Sequence, residues 1–225
     1  VLSNYANDYG DAVKGTDNEN RVGPQRAIQS GEITKSAMKK AIIITSVLGM
    51  LSSIAVVYFS FGKENFVQAV IYLVLAVACI GAAIKYTVGS SAYGYRGLGD
   101  VFVFLFFGLV STLGSYYLYT HSLDLKVFFP AIAVGLLSTA VLNMNNMRDI
   151  ENDAAMNKNT LVVKMGYQKA IQYHFFLIIA PIILFNIYGM ASFTKWYQFA
   201  YVLALIPLFK NISVVSKTKN PRDLD

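Results

Sequence analysis

The sequence predicts an all-α protein, a polytopic bundle of helices that crosses the membrane several times. Of its 225 residues, 55% are hydrophobic and only 14% are charged, and its mean hydropathy is +0.47. Soluble globular proteins carry about 25% charged residues, so most of this surface must face lipid or neighbouring helices. The third observation is that the apolar residues fall into six long runs with almost no charge inside them.

Each apolar run is long enough to cross about 30 Å of hydrocarbon as a helix. In chain order the runs are 41–62, 65–84, 101–123, 127–147, 170–194 and 196–216. The last contains Lys210, whose long side chain can extend to the membrane interface. A buried hairpin of a soluble protein is the alternative, but it would need charged amphipathic helices to cover it, which this sequence lacks. We therefore expect six complete transmembrane helices in a single domain, 1–225, that is truncated at both ends.

The distribution of basic residues between the loops predicts the orientation. Nearly all of the 19 Lys and Arg residues lie on one side of the predicted spans. The exceptions are Lys63, Lys126 and Lys195. Because Lys and Arg accumulate in cytoplasmic loops, we expect loops 8–40, 85–100 and 148–169 to be cytoplasmic. The same residues account for the net charge of +6, so the lipid bilayer is the expected partner and nucleic acid is not.

The chain opens with a cluster of acidic and amide side chains. If a helix runs through it, Asn4, Asp8 and Asp11 are spaced i, i+4 and i+7 and share one face. Asn7 lies beside them, and Asp17 follows six residues after Asp11. This grouping of oxygen ligands makes the cluster a candidate site for a metal ion.

A second acidic cluster follows the fourth apolar run. Asp149 and Asp153 are spaced i and i+4, again on one helix face. Like charges at this spacing repel by a few tenths of a kcal/mol, and a divalent cation would relieve the repulsion. Mg²⁺ takes oxygen ligands and combines one or two carboxylates with substrate phosphates. Basic residues that can neutralise phosphate flank both clusters: Arg21, Arg26, Arg148 and Lys158.

Two such clusters on the same side of the membrane predict a site for Mg²⁺ and a diphosphate. The alternative is a pair of solvated acidic helix ends. The Gly- and Tyr-rich loop 85–100 lies on the same side. We expect it to cover the site as a lid whose Tyr rings stabilise a cation, or else to form an aromatic belt at the interface.

The two aspartate motifs resemble those of the UbiA superfamily of intramembrane aromatic prenyltransferases, in which Asn-Asp-x-x-Asp is followed later by Asp-x-x-x-Asp. Here the first motif runs from Asn7 to Asp11 and the second from Asp149 to Asp153. Asp17 replaces the third aspartate of the general pattern, as in the 1,4-dihydroxy-2-naphthoate polyprenyltransferases of that superfamily, to which most of the chain is similar. Asn157 stands where a glycine is common.

This resemblance implies a nine-helix fold, of which the chain would hold six complete helices, in the bacterial cytoplasmic membrane. It implies Mg²⁺-dependent transfer of a polyprenyl group from polyprenyl diphosphate to 1,4-dihydroxy-2-naphthoate. Loss of CO₂ and diphosphate would give demethylmenaquinone. The implied catalytic metal ligands are Asp8, Asp11, Asp149 and Asp153; the supporting residues are Asn4, Asn7 and Asp17; and the diphosphate contacts are Arg21, Arg148 and Lys158. Arg96 would pair with the carboxylate of the acceptor.

Three other functions stay open on the residues alone. A related prenyltransferase could use a different aromatic acceptor, such as 4-hydroxybenzoate, because neither spacing nor charge selects the acceptor. A cation transporter would also use acidic residues, although transport sites usually lie near the bilayer midplane and these clusters lie at helix ends. A phosphatidyl-alcohol transferase would concentrate its aspartates in one Asp-x-x-Asp-Gly-x-x-Ala-Arg motif, which the sequence lacks.

Overall fold

The computed structural model describes residues 1–62 and 64–224, and over this part of the chain it is helical without strands. The helices are α1 (Leu2–Lys14), α2 (Lys35–Phe61), α3 (Phe66–Lys85), α4 (Gly99–Thr120), α5 (Leu125–Arg148), α6 (Ile150–Ala155), α7 (Leu161–Met165), α8 (Tyr167–Ser192) and α9 (Trp196–Lys217). Short 3₁₀ turns lie at Tyr93–Arg96 and Pro221–Asp223. The predicted all-α class is confirmed.

Six of these helices, α2 to α5 with α8 and α9, are long and apolar enough to cross a membrane. They match the six predicted spans to within a few residues. The largest difference is at the start of α2, which begins at Lys35 because the Thr34 hydroxyl caps it, accepting a hydrogen bond from the Ala37 amide at 3.2 Å. Lys63, which the charge pattern assigned to the outer side, lies outside the described residues.

The outer surface of the bundle is apolar, as a lipid-facing surface must be. Large hydrophobic side chains such as Phe59, Phe66 and Ile206 point outward, and α3 buries none of its residues. The indole of Trp196 is also exposed at the start of α9, where it can anchor the helix at the membrane interface. The polar residues that the protein buries are concentrated at one end of the bundle.

Small residues let the central helices approach closely. α5 packs along α8 and against the π-helical turn Phe104–Val110 of α4. At the α4–α5 crossing, a Cβ placed on Gly108 would lie 2.5 Å from the Cα of Gly135. This close approach is typical of membrane helix interfaces. It fixes α5, and the second aspartate motif begins directly after its last residue, Arg148.

The connecting segments at that end are partly helical and pack on one another. The predicted loop 8–40 contains residues 8–14 of α1 and residues 35–40 of α2, and the loop 148–169 contains α6 and α7. The segment after α3 packs against α1, because the Thr87 hydroxyl donates to the Ala6 carbonyl at 2.8 Å. Gly10 permits this contact, since a Cβ there would lie 2.5 Å from the Thr87 hydroxyl.

Candidate functional site

A polar cavity of about 230 Å³ lies where α1, the segment after it, the end of α5, and α6 meet. It joins both predicted aspartate motifs, which are more than 130 residues apart in sequence. The residues predicted for the site that line this cavity are Asn7, Asp11, Asp17, Arg21, Arg148, Asp149, Asp153 and Lys158. Arg26 lines it as well.

Lys158 connects the two aspartate motifs. Its ammonium nitrogen lies 3.5 Å from a carboxylate oxygen of Asp11 and 3.5 Å from one of Asp153. Burial alone would lower the pKa of Lys158, but the two carboxylates outweigh it and raise the pKa above its ordinary value. Burial raises the pKa of Asp153 to about 6, against the opposing effect of Lys158. At neutral pH Lys158 and Asp153 are therefore mostly ionised.

The turn at 156–158 presents Lys158 to the site. Asn157 has a φ of +55°, a left-handed conformation that asparagine adopts more readily than most residues. This explains how asparagine can stand where a glycine is common. The Lys158 amide then donates to the Asp153 carbonyl at 2.8 Å, which ties the turn to the end of α6.

Asp17 lies between two arginines. Its carboxylate oxygens are 3.2 Å from Arg21 Nε and 3.3 Å from Arg26 Nε. Burial raises the pKa of Asp17 to about 6, while Arg26 and Arg21 oppose that shift. Asp17, which replaces the third aspartate of the general pattern, therefore lines the same cavity as the two motifs.

Gly23 lets Arg21, which follows the first motif, lie close to Arg148, which precedes the second. A Cβ on Gly23 would overlap the guanidinium of Arg148 and would lie 3.0 Å from that of Arg21. The Arg148 guanidinium also pairs with the Asp149 carboxylate at 3.1 Å. The loop after α1 therefore places its cation beside that of the α5 end, on one wall of the cavity.

Tyr95, in the Tyr-rich loop, holds Asp11 in position. Its hydroxyl donates to an Asp11 carboxylate oxygen at 2.7 Å and lies 2.5 Å from the Thr16 hydroxyl. The Lys14 ammonium sits 3.7 Å from the centre of its ring, and the Asn159 amide donates to its carbonyl at 3.2 Å. The sequence marked the loop as Tyr-rich but did not single out Tyr95, because only the folded chain brings it to Asp11.

Three predicted site residues lie elsewhere. Asp8 is buried but lines neither this cavity nor the apolar one described below. Asn4 lines the apolar cavity. Arg96 is exposed outside both cavities, and its carbonyl accepts a hydrogen bond from the Lys164 ammonium. Their proposed roles remain predictions.

An apolar cavity of about 500 Å³ adjoins the polar one. Phe102, Phe106 and Phe107 of α4 line it, so this Phe-rich part of α4 forms part of its wall. Three residues line both cavities: Asn7, Tyr86 and Leu142. The two spaces therefore share a wall, with charged groups on one side and hydrocarbon on the other.

The polar cavity offers oxygen ligands for a hard cation. The Asn7 side-chain oxygen is buried without a hydrogen-bond partner, and carboxylates of both motifs face the same space. Within the described residues, no three Asp, Glu, His or Cys side chains are close enough to hold one ion. An ion here would therefore combine one or two carboxylates with amide, phosphate or water oxygens, which is how Mg²⁺ binds in phosphate-transfer sites.

Comparison with known proteins identifies relatives along the whole chain. The profile of the UbiA prenyltransferase family matches residues 1–224. The 1,4-dihydroxy-2-naphthoate octaprenyltransferase of Escherichia coli (strain K12) is 46% identical over 224 residues, 98% of this chain and 71% of the relative. The enzyme of the same name from Haemophilus influenzae is 42% identical over 100% of this chain and 72% of its own length. The one from Mycobacterium tuberculosis is 37% identical over 81% and 60%. No solved structure matches the chain.

Proposed function

The chain belongs to the UbiA prenyltransferase family, and from this premise we propose that it transfers a polyprenyl group from a polyprenyl diphosphate to 1,4-dihydroxy-2-naphthoate. The named relatives at 42% and 46% identity support this choice of acceptor. The chain is an integral membrane protein, and we place it in the cytoplasmic membrane of a bacterium with the polar cavity at the cytoplasmic side. The basic loops support that orientation.

The observation that carries the proposal is the shared wall between the polar and the apolar cavity. A polyprenyl diphosphate has a highly charged head and a long hydrocarbon tail, so it needs both environments within one site. The apolar volume of about 500 Å³ accepts part of the tail, and the polar volume of about 230 Å³ accepts the head. The bond that breaks would then lie at the junction.

The residues of the polar cavity suit a diphosphate held with metal ions. Enzymes of this family generally depend on a divalent metal, and we assign Mg²⁺ ions to this cavity, each held by one or two of the carboxylates of Asp11, Asp149 and Asp153, with the unpartnered oxygen of Asn7 as a further ligand. When bound, the metal would neutralise charge on the departing diphosphate. Arg21, Arg148 and Lys158 would contact the remaining phosphate oxygens, the arginines in bidentate fashion.

The proposed reaction balances without an added oxidant or base. The bond between C1 of the prenyl chain and the diphosphate oxygen breaks, and its electron pair leaves with the diphosphate. The acceptor ring carbon that bears the carboxylate forms a new bond to C1. CO₂ then departs, and the electron pair of the broken carbon–carbon bond restores the aromatic ring, giving demethylmenaquinone in its reduced form. The apolar walls would keep water from the allylic cation.

The test uses the full-length protein in nanodiscs with Mg²⁺, a long-chain prenyl diphosphate, and either the naphthoate or 4-hydroxybenzoate. Products are identified by mass spectrometry. We expect prenylation with loss of CO₂ from the naphthoate, no turnover of the benzoate, and loss of activity in Asp11→Asn and Asp149→Asn. Turnover of the benzoate alone would refute the acceptor assignment.

Glu151→Gln is the matched control for these two variants. Glu151 is an exposed carboxylate on α6, two residues after Asp149, and pairs with Arg222 at 3.0 Å away from the cavity. It should retain activity. If it loses activity as completely as Asp149→Asn, the loss reflects general disturbance of this acidic segment and the metal assignment is wrong.

A further inference from the structure

Tyr86 stands at the junction of the two cavities, on the wall that they share. It follows the last residue of α3, and no described hydrogen bond reaches its hydroxyl. Asn7 and Leu142 line the same junction, but the first offers an amide and the second an aliphatic side chain. Tyr86 is thus the one aromatic ring among the residues common to both cavities.

The fold holds the ring of Tyr86 firmly. Its carbonyl accepts a hydrogen bond from the Gly94 amide at 3.0 Å. A Cβ on Gly94 would lie 3.1 Å from the ring, and one on Gly99 would lie 3.2 Å from both the ring and the hydroxyl. Two glycines therefore let the backbone pack against one edge of the ring. This fixes its position relative to both cavities.

Further rings continue from Tyr86 down the apolar cavity. Tyr86 and Tyr93 meet edge to face with their centres 5.4 Å apart, and Tyr93 stacks on Phe102 at 3.9 Å. Phe102 is followed by Phe106 at 6.0 Å. All four rings line the apolar cavity, whereas only Tyr86 also borders the polar one. The row of rings begins where the charged head of a donor would end.

We propose that Tyr86 is a catalytic residue whose ring contacts the allylic C1–C3 carbons of the donor and stabilises the positive charge that develops there. The inference rests on the proposed function. A diphosphate in the polar cavity and a tail in the apolar one place C1 at the shared wall. The negative face of an aromatic ring attracts a cation, and the attraction exists only once the carbon–oxygen bond begins to break, so it accelerates the reaction.

The protonation of Tyr86 agrees with this role. Burial, together with the nearby carboxylates of Asp11 and Asp100, raises the pKa of Tyr86 above its ordinary value. The side chain therefore stays a neutral phenol across the working pH range. A neutral ring stabilises the allylic cation through its electron distribution. It does not replace the cations that neutralise the departing diphosphate.

The test measures kcat and donor KM in the full-length protein for a series at position 86: Phe, and then Phe analogues carrying one, two and three ring fluorines. Each fluorine weakens the negative face while changing volume little. We expect Tyr86→Phe to remain within about 3-fold of wild type and kcat to fall stepwise along the series, to about 10- to 30-fold below Phe, at unchanged KM. Tyr86→Leu, which keeps bulk without a ring, should fall to the lowest point of the series.

The same fluorinated series at Phe61 is the control, because that ring is buried against Tyr72 and Tyr117, lines neither cavity, and should leave kcat nearly constant. An equal kcat along the series at position 86, or an effect on KM alone, overturns the inference. So does a loss in Tyr86→Phe as large as that in Tyr86→Leu, because the hydroxyl would then be the active group. A wild-type protein that prenylates the naphthoate but gives a flat series refutes only the role of Tyr86. A wild-type protein without any turnover refutes the proposed function.

Discussion

Removing the Tyr95 hydroxyl should show how much the activity depends on the position of the Asp11 carboxylate, because the carboxylate itself is kept. Tyr95→Phe deletes the hydrogen bond of 2.7 Å to the Asp11 carboxylate and the contact with the Thr16 hydroxyl. The aromatic ring that the Lys14 ammonium contacts remains. A hydrogen bond to a charged group contributes about 1.5 to 3 kcal/mol. If most of this holds the carboxylate in its reactive position, kcat/KM for the donor should fall about 10- to 100-fold, since about 1.4 kcal/mol corresponds to a factor of ten.

The assay is steady-state prenylation by the full-length protein, with the Mg²⁺ concentration varied as well as the donor. We expect Tyr95→Phe to need more Mg²⁺ for half-maximal activity, because Asp11 is a proposed ligand. Tyr93→Phe is the control: its hydroxyl donates to the Ala82 carbonyl at 2.8 Å and contacts no carboxylate. It should lose some stability and leave the Mg²⁺ requirement unchanged. Wild-type kcat/KM and Mg²⁺ response in Tyr95→Phe would refute the reasoning.

Three further predictions concern the cavity and the bundle. Gly23→Ala should displace the guanidinium of Arg148 and raise donor KM several-fold, whereas Gly49→Ala, with open space around it, should match wild type. Gly108→Ala places a Cβ 2.5 Å from the Gly135 Cα, so it should lower stability in detergent by about 1 to 3 kcal/mol; Gly81→Ala, with no close neighbour, should not. Burial raises the pKa of Asp17 and Asp153 to about 6, above about 3.9 in an unfolded chain. The metal-free protein should therefore lose stability as the pH rises from about 4 to 6, and Mg²⁺, which needs ionised carboxylates, should raise its melting temperature more at pH 7 than at pH 5.

The sequence predicts those features that depend on local patterns. Runs without charge predict the six spans, because an unpaired charge is expensive in hydrocarbon. The spacing of Asp149 and Asp153 predicts a shared face, and both residues line the polar cavity. For Asp8 and Asp11 the same helical reasoning cannot decide which side chain faces the cavity, since the residues of a helix turn point in different directions and the neighbouring helices select one of them.

Contacts between distant segments could not be read from spacing. Tyr95 and Arg96 are adjacent in a loop, yet the first reaches Asp11 and the second points outward. Its positive charge alone makes Arg96 a candidate for binding the carboxylate of an acceptor. The hydroxyl of Tyr95 gave no comparable signal, because tyrosines are also common at membrane interfaces. Only the packing of the loop on α1, through Gly10 and Thr87, decides between them.

The charges of the polar cavity give a physical reason for a metal requirement. Its wall carries four carboxylates, Asp11, Asp17, Asp149 and Asp153, and four cations, Arg21, Arg26, Arg148 and Lys158. Fully ionised, these side chains sum to zero, and each carboxylate is already paired with a cation of this set at 4.0 Å or less. A diphosphate that takes those cations for itself leaves the carboxylates without partners in a buried space, which is unfavourable. Divalent ions supply the missing positive charge to the carboxylates and to the diphosphate.

We therefore expect donor binding to be weak without Mg²⁺, even though the cavity is rich in basic residues. Calorimetric titration of the full-length protein with donor, with and without Mg²⁺, measures the difference in donor affinity. Equal donor affinity in the two titrations would mean that the four cations alone hold the diphosphate.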